Sequence, residues 1–325
     1  MSSAKEPRTT ASNNLTVSLS QNQAKSAKEP RKKKILFKCA LTNTISDVLT
    51  NREGWAQTQG DDWQFFWVTR EWMNNCYDRH KFSENQLICH FRNDFELTRK
   101  DFLIKNYKKA RKAKEKSGVD IAAEFNFIPS SYVLPVGLNL YCPFVKKAIV
   151  HLTNVAIAKT AADYDPERGL KWSLPKLFRF LRGMHGHSKV SKTMNDLAKV
   201  IIESLKSVQN MIIQDNHCFE LYGYDILFDE NLKPWLLEVN ASPSLTASSQ
   251  EDFELKYRVL NHMLDVLDIE KRLVGTEQQI GGFDILVKNN KPVEICKIGA
   301  LHSHPFFGTS MNLRLGDYVE AIPMP

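Results

Sequence analysis

Two carboxylates and a carboxamide, Asp225, Glu238 and Asn240, interrupt an apolar run that extends from Phe219 to Leu245. Oxygen donors of this kind are the ones a phosphate-bound Mg²⁺ prefers. The run reads as two strands joined by a polar turn, Asp229-Glu230-Asn231-Leu232. With Phe228 opposite Lys233, Asp225 faces Leu236. Period-two alternation then puts Glu238 and Asn240 on the face of Leu236, so all three polar groups gather on one surface. Acidic residues on a hairpin are most often only its solvated face. Two features favour a site here: the apolar surroundings (Trp235, Leu236, Leu237, Val239), and the abrupt break at Ala241-Ser-Pro-Ser-Leu245, which leaves Asn240 near a strand end.

Further motifs are dispersed along the chain: Trp63-Gln-Phe-Phe-Trp67, His90-Phe-Arg-Asn93, Glu96-Leu-Thr-Arg-Lys-Asp101 and His151-Leu-Thr-Asn154. Together with the hairpin they resemble the tubulin–tyrosine-ligase-like enzymes, an ATP-grasp family, and within it the tubulin polyglutamylases of ciliary type. The resemblance covers roughly Lys33 to Asp284, and agreement at several separate motifs is more specific than any one of them. It implies an α/β (α+β) fold with ATP and Mg²⁺ as cofactors. Asp225, Glu238 and Asn240 would be the metal ligands. Lys100 would reach a phosphate, and Thr153, Asn154 and Leu237 would contact the nucleotide. The implied chemistry is phosphorylation of a glutamate carboxylate in tubulin's acidic tail, followed by attack of free glutamate's α-amine on the acyl phosphate.

The resemblance breaks at one place. The family's Gly-rich loop and phosphate-binding lysines lie between a Pro-rich turn, matched here by Phe127-Ile-Pro-Ser-Ser-Tyr-Val-Leu-Pro135, and the His-Leu-Thr-Asn motif. Only Val136–Val150 separates the two in this chain, and it resembles neither the family's Gln-Gly-Lys-Gly loop nor its Lys-Phe-Asp-Leu-Arg segment. Lys146 and Lys147 stand in a mostly apolar run without such a loop. The expected fold is thus an incomplete ATP-grasp, a shortened form retaining one wall of the active site. Two classes of function stay open: a tubulin polyglutamylase with impaired activity, and a non-catalytic tubulin- or microtubule-binding protein.

Charge distribution bears on the partner. The net charge is +7, and residues 1–34 hold eight basic against two acidic residues. This segment is poor in large apolar residues and reads as a disordered basic tail; Ser-Ala-Lys-Glu-Pro-Arg occurs in it twice. Between Arg99 and Lys116 nine basic residues meet only Asp101 and Glu115. Thr98 and Asp101 fit a capping box that starts a helix, whose face would carry Lys105, Lys108, Lys109, Lys112 and Lys116. Such runs are usually solvated faces. The field also suits acidic tubulin tails, with Lys105, Lys108, Lys109 and Lys112 as contacts. No base-reading motif accompanies them, so nucleic acid is not the expected partner.

No apolar run approaches membrane-spanning length. The six scattered cysteines read as free thiols of a reducing compartment, in keeping with a cytoplasmic, cytoskeletal or ciliary location. The expected organisation is a tail (1–34), an N-terminal domain (35–135), a junction (136–150), the C-terminal part of the ATP-grasp domain (151–284) and an extension (285–325). Helices are expected over Thr42–Asn51, Pro175–Arg182, Lys189–Ile213 and Phe253–Leu267, with a polar turn over Gly183–Ser188. The six aromatics from Trp55 to Trp72 are expected in the core.

Overall fold

Apolar Ile35–Cys39 forms the first strand, β1, and the chain returns through α1 (Thr44–Asn51) to lay β2 (Trp55–Gln57) parallel beside it. The computed structural model describes residues 34–131, 172–277 and 279–293. Two more strands, β3 (Phe65–Trp67) and β4 (Leu87–Ile88), complete a parallel sheet in the order β2-β1-β3-β4. Between them lie α2 (Arg70–Asn75) and a short 3₁₀ turn. Parallel strands are normally covered on both faces, which explains the density of aromatics. Trp55, Trp63, Phe65 and Trp67 are buried as expected, while Phe66 and Trp72 pack half-buried against that core. The fold is α/β.

α1 begins at Thr44 rather than Thr42, because the Asn43 side chain accepts from Ile45 N and caps it. Its partner is α8 (Gln250–Leu267). Arg52 closes this contact, donating to Asp265 at 2.8 Å, to Glu270 and to Asn261.

The expected capping box does not form. Thr98 completes the short α3 (Phe95–Thr98), and α4 (Lys100–Lys116) starts after Arg99 with no side-chain cap. Arg99 instead bonds Asp101. After α5 (Ile121–Glu124), the next described helices are α6 (Leu174–His185) and α7 (His187–Val208). The expected six-residue turn between them is a break at Gly186 alone, whose φ of +80° suits glycine.

The hairpin of β5 (Tyr222–Phe228) and β6 (Pro234–Ala241) is hung on this frame. The chain entering β5 runs parallel to β4, with Ile88 N bonding His217 O and Phe219 N bonding Ile88 O. The far edge of β6 is held where Leu236 N donates to Phe127 O at 2.8 Å. Leu236 and Val239 bury against Leu97, Leu103, Tyr107, Phe127 and Val200. A two-stranded hairpin is marginal alone; here its inner face is part of a core.

Beyond α8 lies a short hairpin of β7 (Gln279–Ile280) and β8 (Phe283–Asp284). Burial pushes the Asp284 carboxyl up to about 6, and its Oδ1 has no hydrogen-bond partner among the described residues. Folding therefore favours the protonated form. The stability this contributes is full below the ordinary value of about 3.9 and is lost as pH rises through about 6. Asp284→Asn should raise the unfolding temperature at pH 7.5 and flatten its fall between pH 4 and 7. An unchanged pH profile would count against this.

Candidate metal and nucleotide site

The strands of the hairpin do not pair in the simple register expected from sequence. Phe228 lies opposite Pro234 and Ile226 opposite Leu236, and the register then shifts so that Asp225 lies opposite Glu238. The extra residue on β6 is Leu237, a β-bulge. Its effect is to reverse the alternation: Leu236 is fully buried and Val239 nearly so, whereas Leu237, Glu238 and Asn240 turn outward. Glu238 and Asn240 therefore do not share the face of Leu236. They share that of Asp225, and the three groups converge as expected through a different register.

The electrostatics are those of a site short of positive charge. The carboxyl groups of Asp225 and Glu238 stand together across the hairpin and act on each other's titration. Burial first, and Glu238 second, push the Asp225 carboxyl above its ordinary range, against the pull of Lys100. Glu238 is held below its ordinary range chiefly by the Lys100 ammonium, whose Nζ is 2.5 Å from Oε2. Asn240 Nδ2 donates to its other oxygen at 3.3 Å. The Lys100 ammonium thus does here part of what a divalent cation could do, and the donor set of two carboxylates and a carboxamide fits a hard cation such as Mg²⁺. Gly223 lies opposite Asn240, and a Cβ there would come within 3.2 Å of the Pro243 Cβ and 3.8 Å of that of Asn240.

The nucleotide positions expected from sequence are partly in view. Lys100 opens α4 with its side chain 73% exposed, and Leu237 stands exposed on the bulge beside Glu238. Thr153 and Asn154 lie outside the described residues. Lys105, Lys108, Lys109 and Lys112 are all exposed on α4, whose opposite face buries Leu103, Asn106 and Tyr107. Of the cysteines, Cys39, Cys76, Cys89 and Cys218 are free thiols, and burial pushes Cys218 up to about 12.

One cluster had no role assigned from sequence. His90, Asp94 and Glu220 bring ligand-type atoms within 4.8 Å of one another. Their atoms are committed within the protein. Arg70 takes both oxygens of Asp94, and Glu220 is held by His90 Nδ1 at 2.6 Å and by Phe91 N at 3.1 Å. His90 Nε2 lies 3.2 Å from Ser242 Oγ. The available signal was an acid in the apolar run Cys218-Phe-Glu-Leu-Tyr222 and a histidine directly after apolar Leu87-Ile-Cys89.

Comparison with known proteins gives the family. Residues 141–274 match the model of the tubulin-tyrosine ligase family. The "Probable tubulin polyglutamylase ttll-9" of Caenorhabditis elegans is 62% identical, the match covering 97% of this chain and 99% of that one. The "Probable tubulin polyglutamylase TTLL9" of Rattus norvegicus is 32% identical over 80% of this chain and 85% of its own length. A "Probable alpha-tubulin polyglutamylase Ttll1" of Tetrahymena thermophila is 28% identical over 77% and 90%. The chain belongs to the tubulin-tyrosine ligase family. The nematode alignment spans 414 positions and this chain has 325 residues; the difference of 89 is the least number of positions facing a gap in it.

Lys100 and Asp225 give a measurable pair. Lys100→Met should lower stability at pH 8 by no more than ~1 kcal/mol, the range of an exposed ion pair, because it leaves opposed carboxyl groups without their ammonium. Adding Asp225→Asn should return that loss in urea unfolding. A loss that Asp225→Asn leaves in place would show that Lys100 stabilises the fold elsewhere.

Proposed function

We propose that this chain is an ATP-dependent ligase that adds glutamate to the acidic C-terminal tails of tubulin, and that it works slowly. The observation that carries the reading is the Asp225–Glu238 pair joined to Lys100, in a chain 62% identical to a relative named as a tubulin polyglutamylase. Asp225, Glu238 and Asn240 would hold Mg²⁺. Bound MgATP would supply the phosphoryl transfer that makes an acceptor carboxylate open to attack by glutamate's amine. Lys100, mostly in solvent, can exchange Glu238 for a phosphate. Leu237 offers apolar surface beside the ligands, and Thr153 and Asn154 join it in the nucleotide set.

α4 supports an acidic partner. Its first residue, Lys100, pairs with Glu238 of β6, and farther along the helix Lys108 and Arg111 face the same cavity as Trp235. That cavity, of about 660 Å³, is also lined by Ile104, Tyr107 and Leu227. The apolar face of α4 packs on the hairpin that holds the carboxyl pair, and the lysines stand on its other, exposed face. A glutamate-rich tail would be held by Lys105, Lys108, Lys109 and Lys112 on that exposed face, with free glutamate as co-substrate. Microtubules in the cytoplasm or cilium are the setting this implies.

The slowness is argued from Val136–Val150, too short for the family's phosphate-covering loop, and from the gap of at least 89 positions. The same gap favours a second reading, a microtubule-binding protein without catalysis. Incorporation of labelled glutamate into microtubules by the purified chain separates the two. The first reading expects a rate roughly 10² to 10³ below that of a relative without the gap, since each lost electrostatic stabiliser costs about that much, and abolition by Glu238→Gln. No incorporation with intact microtubule binding gives the second reading, and a rate equal to the relative's refutes the slowness.

Binding itself should fall steeply above 0.1 M salt, where the Debye length is about 10 Å, and on proteolytic removal of the tubulin tails. Equal co-sedimentation with tailed and tailless microtubules would show that the α4 lysines are only a solvated face.

A further inference from the structure

We infer that His90 is a positioning residue for the Asp225–Glu238–Asn240 site, fixing the open end of its hairpin from a single ring. The inference rests on the reading of those three residues as cation ligands.

His90 is buried at 3% exposure and touches the chain on both sides of the hairpin. Glu220 precedes β5 by two residues, and its Oε1 lies 2.6 Å from Nδ1. Ser242 directly follows β6, and its Oγ lies 3.2 Å from Nε2. A carboxylate can only accept, so Nδ1 carries the hydrogen, and Nε2 faces the Ser242 hydroxyl, which can donate or accept. The second Glu220 oxygen accepts from Phe91 N, so the carboxylate cannot swing away with its strand. Asp94 stands beside Glu220, and Arg70 neutralises it.

Geometry at Ser242 gives this contact a task. Its φ is +54°, a left-handed conformation unusual for a residue other than glycine. The chain bends there two residues after Asn240 and four after Glu238, and the bond to His90 is one that fixes the bend. At the closed end the turn is held independently by Asp229, which accepts from Asn231 N, Lys233 N and Trp235 Nε1. The carboxyl pair lies between these two fastenings. The repulsion of opposed carboxylates would spread the strands toward whichever end is loose, and a ligand set that has spread binds a cation less well. Groups that orient the ligands of a metal commonly account for 10- to 100-fold in affinity.

Mn²⁺ titrated into the full chain and followed by electron paramagnetic resonance provides the test, with thermal unfolding of each variant recorded without metal. His90→Gln and Ser242→Ala should each weaken Mn²⁺ binding about 10-fold while the chain stays folded at the assay temperature. Asp229→Ala, which loosens the closed end, should lower the unfolding temperature and leave Mn²⁺ affinity within a factor of about 2. Unchanged affinity in Ser242→Ala and His90→Gln, or an equal loss in Asp229→Ala, would overturn the inference by showing that His90 only stabilises the fold. Wild-type chain that binds no Mn²⁺, or binds it equally well after Asp225→Asn, would instead overturn the ligand assignment, and the positioning role with it.

Discussion

Two carboxyl groups placed directly opposite each other across an antiparallel pair are the constraint on which the rest of the site depends. Like charges in that position destabilise a hairpin, and here they are compensated three ways. Asp225 takes a proton more readily than a free carboxyl, Lys100 lends its ammonium to Glu238, and Asn240 donates an amide hydrogen. None of these is a deep structural commitment: the lysine is mostly in solvent. Each can be displaced by a better cation at small cost, which distinguishes this pair from the buried ion pairs of Arg52.

Holding such a pair requires that the backbone not relax, and the chain meets this by giving the hairpin a buried side. The bulge at Leu237 makes that possible. With strict alternation Glu238 would follow Leu236 inward, into the cluster of Leu97, Leu103, Tyr107 and Phe127, where an ionised carboxylate would be strongly disfavoured. One extra residue turns Glu238 outward and Val239 inward together. Bulges next to functional sites re-aim side chains in this way.

The sequence carried the chemistry of this site better than its geometry. Residue types, the apolar context and the family resemblance together singled out Asp225, Glu238 and Asn240, which the structure brings onto one face, and the aromatic density around Trp63 was enough to predict the core. The register was misjudged because the turn was counted by its polar residues, while Phe228 pairs with Pro234 and not Lys233. The signal for the bulge was the doubled Leu236-Leu237, which violates alternation and was read only as apolar context. α4 failed in a similar way, because Thr98 has the right spacing to Asp101 for a cap but is already used by the preceding turn. The Glu220–His90–Ser242 contacts span 130 and 152 residues, and no local pattern reports a contact of that separation.

The ligand set and the ligation chemistry differ in how much of the chain they need. Asp225, Glu238 and Asn240 sit within one hairpin, so they keep their geometry as long as that hairpin stays packed, and its inner face is part of a core. Phosphoryl transfer to a carboxylate needs more: donors on the far side of the triphosphate and a cover that excludes water from the activated acyl group. Those demands fall on parts distant in sequence, and the gap of at least 89 positions against the nematode relative is large enough to take in such parts. Loss of a distant part therefore removes rate before it removes cation binding. A chain of this family shortened in that way would keep the hairpin, its compensating lysine and its basic helix in working order. The affinity of such a chain for a metal and for acidic tails then says little about its turnover, which only rates measured with the chain itself report.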